Sequence, residues 1–387
     1  MHERRKLALL GSTGTIGRLT LDVAARFPDR LEVIALAAGK NIELLVDQTL
    51  RFRPERVALG DPADAATFRT RIDGAWNGEI LAGSEGLIGA TTGDADVVVN
   101  GLVGACGLGP SLAALRAGKT LALANKESLV VAGELMRQTA NASGARILPI
   151  DSEHSGLMQC LEGRDARDLR RAVLTASGGP FRTWPLERLA GATVEEALRH
   201  PTWRMGPRIT IDSATLLNKG FEVHEARWLF DIGQDRIDIW IHPQSVVHAL
   251  AEWNDGSIVA QMSVADMRLP IQQALFHPER PEGPVARCDL TQIGRLDFEP
   301  VEADRYPCFE LARECLRVGG TAPAVLNAAD EVLVGAFLDG RIRFIDIAAN
   351  LEKVLGQHRI EAADSLDRIL QADAWARSAA GAMVSRV

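Results

Sequence analysis

A chain of 387 residues has room for two or three domains, and with 47% apolar and 24% charged residues it has the composition of a folded globular protein, not of a disordered or low-complexity one. The net charge of −8 argues against a protein whose main task is gripping nucleic acid, although a local anion pocket stays compatible with it. The longest uncharged stretch, residues 97–115, carries four glycines, Pro110, Asn100 and Ser111, so it reads as strand, loop and helix start and not as a membrane span.

The apolar run that follows Arg4, Arg5 and Lys6 covers only residues 7–10, too short for the core of a signal peptide. Five cysteines, Cys106, Cys160, Cys288, Cys308 and Cys315, are odd in number and scattered, which suits reduced thiols in a cytoplasmic protein.

In chain order, residues 1–150 alternate short apolar runs with helical patterns. Strands are predicted at 6–10, 31–37, 56–59, 96–100, 120–123 and 146–149, with helices such as 17–27 and 41–52 between them. This is the pattern of a parallel sheet covered by helices, a Rossmann-like α/β domain. Residues 151–285 mix further strands, predicted at 171–175, 208–212, 238–241 and 257–263, with helices and Gly/Pro-containing loops, as in an α+β domain. The acidic, weakly periodic stretch 286–311 reads as a linker. Helical spacing then dominates from Phe309, broken at Gly319-Gly320 and Asp339-Gly340, which predicts a C-terminal helical bundle over 312–387.

The segment GSTGTIG at 11–17 joins the first strand to a helix start. Gly11 permits a tight turn, Gly14 a close backbone approach to pyrophosphate, and Gly17 close helix–strand packing, with the anion on the helix N-terminus. A tight turn without ligand is the plainer alternative. The second strand ends Ala38-Gly39-Lys40-Asn41 without the carboxylate that an NAD site uses for its ribose, and Lys40 suits a 2′-phosphate, so NADP is favoured over NAD.

Three polar clusters follow: Asn125-Lys126-Glu127-Ser128 after an apolar strand, Asp151-Ser152-Glu153-His154-Ser155, and a third running from Asp212 to Glu222. Asp151 and Glu153 point the same way if the backbone is extended, which suits two oxygen ligands of one cation. Asn218, Lys219 and Glu222 share a face if their segment is helical. Their plain alternatives are a surface ion pair, a helix N-terminus and an i,i+3 salt bridge. Thr175 to Pro180 reads as a strand followed by a small-residue anion loop, and His200 to Pro207 as a loop able to cover a pocket. His154 reads as a capping or core histidine, and the segment 242–248 (HPQSVVH) as structural because its spacing fits no standard zinc pattern.

Taken in order, GSTGTIG, AGKN (38–41), ANKES (124–128), DSEHS (151–155), ASGGPFR (176–182), HPTWRMG (200–206), DSATLLNKGFE (212–222) and HPQSVVH resemble the 1-deoxy-D-xylulose 5-phosphate reductoisomerase family over nearly the whole chain. The resemblance implies NADPH- and divalent-metal-dependent conversion of 1-deoxy-D-xylulose 5-phosphate to 2-C-methyl-D-erythritol 4-phosphate in non-mevalonate isoprenoid synthesis. In the family picture, retro-aldol cleavage and re-addition precede reduction.

Carried over residue by residue, it implies metal ligands at Asp151, Glu153 and Glu222, with Mg²⁺ or Mn²⁺ the ion and Co²⁺ a third candidate. It implies substrate contacts at Lys126, Ser152, Glu153, Ser177, His200, Ser213, Asn218, Lys219 and Glu222, with Lys126, His200 and the three carboxylates as the catalytic set. Cofactor contacts fall on Thr13, Gly14, Thr15, Ile16, Gly39, Lys40, Asn41, Asn125, Glu127 and Gly206. Trp203 and Met205 fall on a mobile lid, and a homodimer is implied. Thr15 stands where Ser is frequent, and Trp-Arg-Met where Trp-Ser-Met is common. Two other readings are an NADP-dependent reductase of a semialdehyde or small phosphorylated substrate, which leaves the acidic cluster unexplained, and a non-catalytic NADP-sensing protein, which explains neither that cluster nor the phosphate set.

Overall fold

The computed structural model describes residues 4–203 and 206–384, and the chain divides into two units. The first comprises residues 1–128, 136–155 and 266–286, and the second residues 129–135, 156–265 and 287–387. This division differs from the segments expected from composition. The helix Arg268–Phe276 belongs with the first unit, where Phe276 packs on Phe27 with ring centroids 4.8 Å apart and Arg5 Nη1 donates to Leu275 O at 2.7 Å.

Seven strands build the sheet of the first unit: β1 (Arg5–Leu10), β2 (Leu31–Ala38), β3 (Arg56–Leu59), β4 (Glu79–Ala82), β5 (Val97–Asn100), β6 (Thr120–Leu123) and β7 (Arg146–Pro149). Their order is β4-β3-β2-β1-β5-β6-β7 and all the pairs are parallel. Leu7 to Leu10 of the central strand are almost wholly buried, as expected where helices cover both faces. The strand order reverses between β1 and β5, which places a ligand crevice at their carboxyl ends. β4 (EILA), which is not among the expected strands, has no fully buried residue.

The second unit carries a mixed sheet of β8 (Leu169–Ala176), β9 (Ile237–Ile241), β10 (Val247–Trp253), β11 (Ile258–Met262) and β12 (Glu299–Pro300), in the order β11-β10-β8-β9-β12. β10 continues directly from the HPQSVVH motif and is buried throughout. The expected linker contains β12, which pairs with Trp240 and Ile241 at the sheet edge. Four helices, Pro307–Val318, Ala322–Leu338, Phe344–Gln357 and Leu366–Val384, form the expected C-terminal bundle.

Two local expectations are corrected. Residues 208–212 are not a strand but lie in the helix Pro207–Ala214: Pro207 pre-sets the first helical φ, and Thr210 Oγ1 closes back on Gly206 O at 2.9 Å. An apolar run this short does not by itself separate strand from helix. Nor is Asp151-x-Glu153 extended. Ser152 opens the helix Ser152–Leu161, and Ser155 N donates to Asp151 O at 2.9 Å. Asp151 thus precedes the helix and Glu153 lies in its first turn, where the positive end of the helix dipole favours carboxylates. No helix among the described residues is long and apolar enough to cross a membrane.

Candidate active site

In the first unit the glycine turn has the geometry its spacing demands. Gly11 has φ +80°, and a Cβ there would stand 2.6 Å from Gly101 O. At Gly17 a Cβ would stand 2.2 Å from Gly11 O, so the helix Thr15–Arg26 starts this close to the turn only with glycine. Gly14 and Thr15 are exposed and Thr13 and Ile16 half-buried at the carboxyl end of β1. Gly39, Lys40 and Asn41 are exposed at the end of β2, and Asn41 Oδ1 caps the helix Ile42–Phe52 by accepting from Leu44 N at 3.2 Å.

Asn125 and Glu127 are instead buried, and their side chains serve the loop after β5. Asn125 Nδ2 donates to Leu102 O (3.0 Å), Gly104 O (2.9 Å) and Glu127 Oε2 (2.9 Å), while Glu127 Oε1 accepts from Gly104 N at 2.9 Å. Asn100, which the sequence reading passed over, adds to this support through bonds to Gly107 O (2.9 Å) and Ser111 Oγ (2.8 Å). Its only sequence signal was an amide ending an apolar strand. Lys126 is no surface lysine: its Nζ lies 2.9 Å from Asp151 Oδ2, and both side chains are largely buried. Ser152 Oγ donates to Glu153 Oε2.

In the second unit β8 runs into Ser177-Gly178-Gly179, where both glycines have positive φ. Any Cβ at Gly179 would meet Ser213 O at 2.8 Å, so this loop lies tight against the helix Pro207–Ala214. His200 Nε2 sits 3.0 Å from Ser177 Oγ and 3.1 Å from Ser213 Oγ. The ring's Nδ1 accepts from Thr202 N (3.2 Å) and Trp203 N (2.9 Å). An Nδ1 that accepts carries a lone pair, so the proton is on Nε2 and faces the two hydroxyls. Burial pushes the His200 pKa down to about 4, which keeps the ring neutral. Trp203 is half-buried and Gly206 exposed, while Met205 lies outside the described residues.

The later part of the third cluster is helical, the condition on which Asn218, Lys219 and Glu222 share a face. In the helix Leu217–Phe230, Asn218 Nδ2 donates to Glu222 Oε1 at 2.6 Å and Lys219 Nζ pairs with Glu222 Oε2. Glu222 and Lys219 are 1% and 3% exposed. Asp151 and Glu153 in the first unit and Glu222 in the second each offer carboxylate oxygen, the kind of ligand that hard divalent cations select. His154 is fully buried, in keeping with a core residue. His242 is buried too: Nδ1 donates to Asp297 O at 2.8 Å, Nε2 accepts from Val246 N at 3.2 Å, and the ring stacks on Phe298, so it is structural as expected.

Three family profiles match this chain: 1-deoxy-D-xylulose 5-phosphate reductoisomerase over residues 7–133, its C-terminal domain over 147–230, and the DXP reductoisomerase C-terminal domain over 262–379. A curated 1-deoxy-D-xylulose 5-phosphate reductoisomerase from Exiguobacterium sibiricum is 48% identical over 376 residues, covering 97% of each chain. The chain belongs to the 1-deoxy-D-xylulose 5-phosphate reductoisomerase family.

Solved structures of the family agree. The reductoisomerase from Zymomonas mobilis in complex with NADPH matches with a TM-score of 0.94 and 42% identity over 100% of both chains. Another, in complex with NADPH, fosmidomycin and magnesium, matches with a TM-score of 0.93 and 40% identity over 98% of both chains. The Rossmann-like first unit and the mixed-sheet second unit are therefore a reductoisomerase architecture.

Proposed function

We propose that the residues singled out above divide among a cofactor, a cation and a sugar phosphate in the manner set out here. The protein is an NADPH- and divalent-metal-dependent 1-deoxy-D-xylulose 5-phosphate reductoisomerase, forming 2-C-methyl-D-erythritol 4-phosphate. Thr13, Gly14, Thr15 and Ile16 would hold NADPH at the turn, and Gly39, Lys40 and Asn41 would serve its 2′-phosphate. Asn125 and Glu127 act on it by holding the loop after β5, and Gly206 is a further cofactor residue. The buried links of that loop and the tight Gly11–Gly17 turn support this fit. The cofactor supplies the hydride that converts the rearranged aldehyde to an alcohol.

Asp151, Glu153 and Glu222 would hold Mg²⁺, Mn²⁺ or a similar hard cation, which would supply Lewis-acid polarisation of the substrate's carbonyl and hydroxyl oxygens. Lys126 adds an ammonium beside Asp151 and steadies the same oxygens. Ser152 orients Glu153 through its hydroxyl. The observation that carries the substrate assignment is the Ser177–His200–Ser213 arrangement. One neutral Nε2–H between two hydroxyls, beside two glycines of positive φ, offers converging donors to the oxygens of a phosphate.

Asn218 and Lys219 add an amide and an ammonium to the same group. Binding the phosphate firmly fixes the reacting end of the sugar, so binding energy far from the chemistry lowers its barrier. Trp203, whose backbone N–H bonds to His200, closes over the substrate and excludes water.

We extend the reading to a cytoplasmic homodimer, on the thiol-type cysteine usage and the resemblance to the family; sedimentation velocity tests the dimer. The function itself is tested by NADPH oxidation with 1-deoxy-D-xylulose 5-phosphate, with and without Mg²⁺. Activity that survives complete removal of divalent ions overturns the carboxylate assignment. Absence of turnover with this substrate, alongside turnover of a semialdehyde, favours the simpler reductase.

A further inference from the structure

The helix Pro207–Ala214, which carries Ser213, is tied to the C-terminal bundle by a partly buried polar cluster to which nothing above gives a task. Arg208 Nη1 pairs with Glu331 Oε1 at 2.5 Å, and its Nη2 donates to Asn327 Oδ1 at 3.1 Å. The same guanidinium lies 3.5 Å from Asp330 Oδ2 and 3.8 Å from Asp212 Oδ2. Asn327, Asp330 and Glu331 all belong to the helix Ala322–Leu338. Glu331 in turn pairs with Arg377 at 2.5 Å, from the last helix, and Arg377 also holds Asp373 at 2.6 Å.

Asp330 and Asn327 are completely buried. Neither oxygen of Asp330 makes a hydrogen bond among the described residues, and burial followed by the nearby Asp212 holds its carboxyl well above the usual carboxylate range.

Such a cluster is a poor way to gain stability, because desolvating the charges offsets most of their attraction and an apolar packing of equal volume does as well or better. What it does provide is direction. The planar fork of Arg208 reaches two residues one turn apart, Asn327 and Glu331, and so resists both rotation and sliding of its helix. Ser213, five residues on, lies on that helix with its Oγ 3.1 Å from His200 Nε2, a distance that any rotation changes. The cluster therefore acts on the helix that carries Ser213 into the proposed phosphate site.

We infer that Arg208, through Glu331 and Asn327, is a positioning residue for substrate phosphate: the C-terminal helices hold Ser213 in line with His200 and Ser177. The inference rests on the phosphate assignment made under Proposed function. It gives the C-terminal bundle a part in substrate recognition without contact between bundle and substrate.

The test uses the full-length enzyme with Arg208→Met/Glu331→Gln, which removes both charges of the closest pair, alongside Arg208→Lys and Ser213→Ala. The double variant should raise the KM for 1-deoxy-D-xylulose 5-phosphate about tenfold, equivalent to about 1.4 kcal/mol, with the KM for NADPH unchanged. Arg208→Lys, which keeps the charge but not the fork, should recover part of the loss. A merely structural role would lower the melting temperature and leave both KM values alone.

That pattern, with Ser213→Ala still raising the sugar-phosphate KM, overturns the positioning role and leaves the phosphate site standing. A Ser213→Ala enzyme with unchanged KM overturns both. If the double variant does not fold, Arg208→Lys decides by the same split of KM values.

Discussion

Glu222→Gln separates a metal ligand from a structural carboxylate, and the structure changes what the variant should do. From sequence, three clustered carboxylates suggest mutual repulsion, so neutralising one should spare or even help the metal-free fold. In the structure Glu222 is 1% exposed, accepts from Asn218 at 2.6 Å and faces the ammonium of Lys219, itself 3% exposed. Glutamine takes that charge away from a buried ammonium. Breaking a buried pair from one side costs about 3–5 kcal/mol, a large part of the roughly 5–15 kcal/mol that a domain has in hand.

The single variant should therefore unfold at clearly lower denaturant, and also bind Mg²⁺ far more weakly by calorimetry. Removing both partners, in Glu222→Gln/Lys219→Met, should restore most of the stability without restoring Mg²⁺ binding. Recovery of normal Mg²⁺ affinity in the double variant would refute the reasoning, because the loss in the single variant would then have been a folding defect. Normal metal titration in the single variant refutes it more directly.

Lys40→Asp should move relative kcat/KM from NADPH toward NADH, since a carboxylate repels a 2′-phosphate and accepts a ribose hydroxyl pair; unchanged discrimination makes Lys40 a solvated surface residue. The His200 ring, held neutral by burial with its pKa pushed down to about 4, should show no NMR titration between pH 8 and about 5.5 in the free enzyme; a midpoint near 6.5 contradicts a ring kept neutral by burial. Fully buried His224 also has its pKa pushed down to about 4, so the unfolded chain binds the extra proton between pH 6.5 and 4. Stability from this group is complete above about pH 6.5 and falls by roughly 3 kcal/mol toward pH 4, and His224→Gln should flatten that slope in urea melts. Trp203→Ala keeps the backbone bond to His200 and should fold and bind NADPH normally while kcat/KM drops about tenfold or more; full activity removes the lid role.

Much of this protein is legible in its sequence because the relevant constraints are local. The turn at Gly11 and Gly17 tolerates no Cβ, and a buried parallel strand such as β1 must be a continuous apolar run, so both leave marks that need no knowledge of the rest of the fold. The helical face shared by Asn218, Lys219 and Glu222 follows from the 3.6-residue period alone.

Tertiary structure decided what depends on partners distant in the chain. Residues 208–212 read as a short apolar strand, yet Pro207 and the burial of Thr210, Ile211 and Asp212 make them a helix. Asp151 and Glu153 are carried by a helix start that the sequence left open. Arg208 gave no signal at all, since its meaning lies in Asn327, Asp330 and Glu331 more than a hundred residues away. A charge records its own position in the chain, whereas the desolvation and the opposing charges that give it work to do are assembled only when separate helices pack.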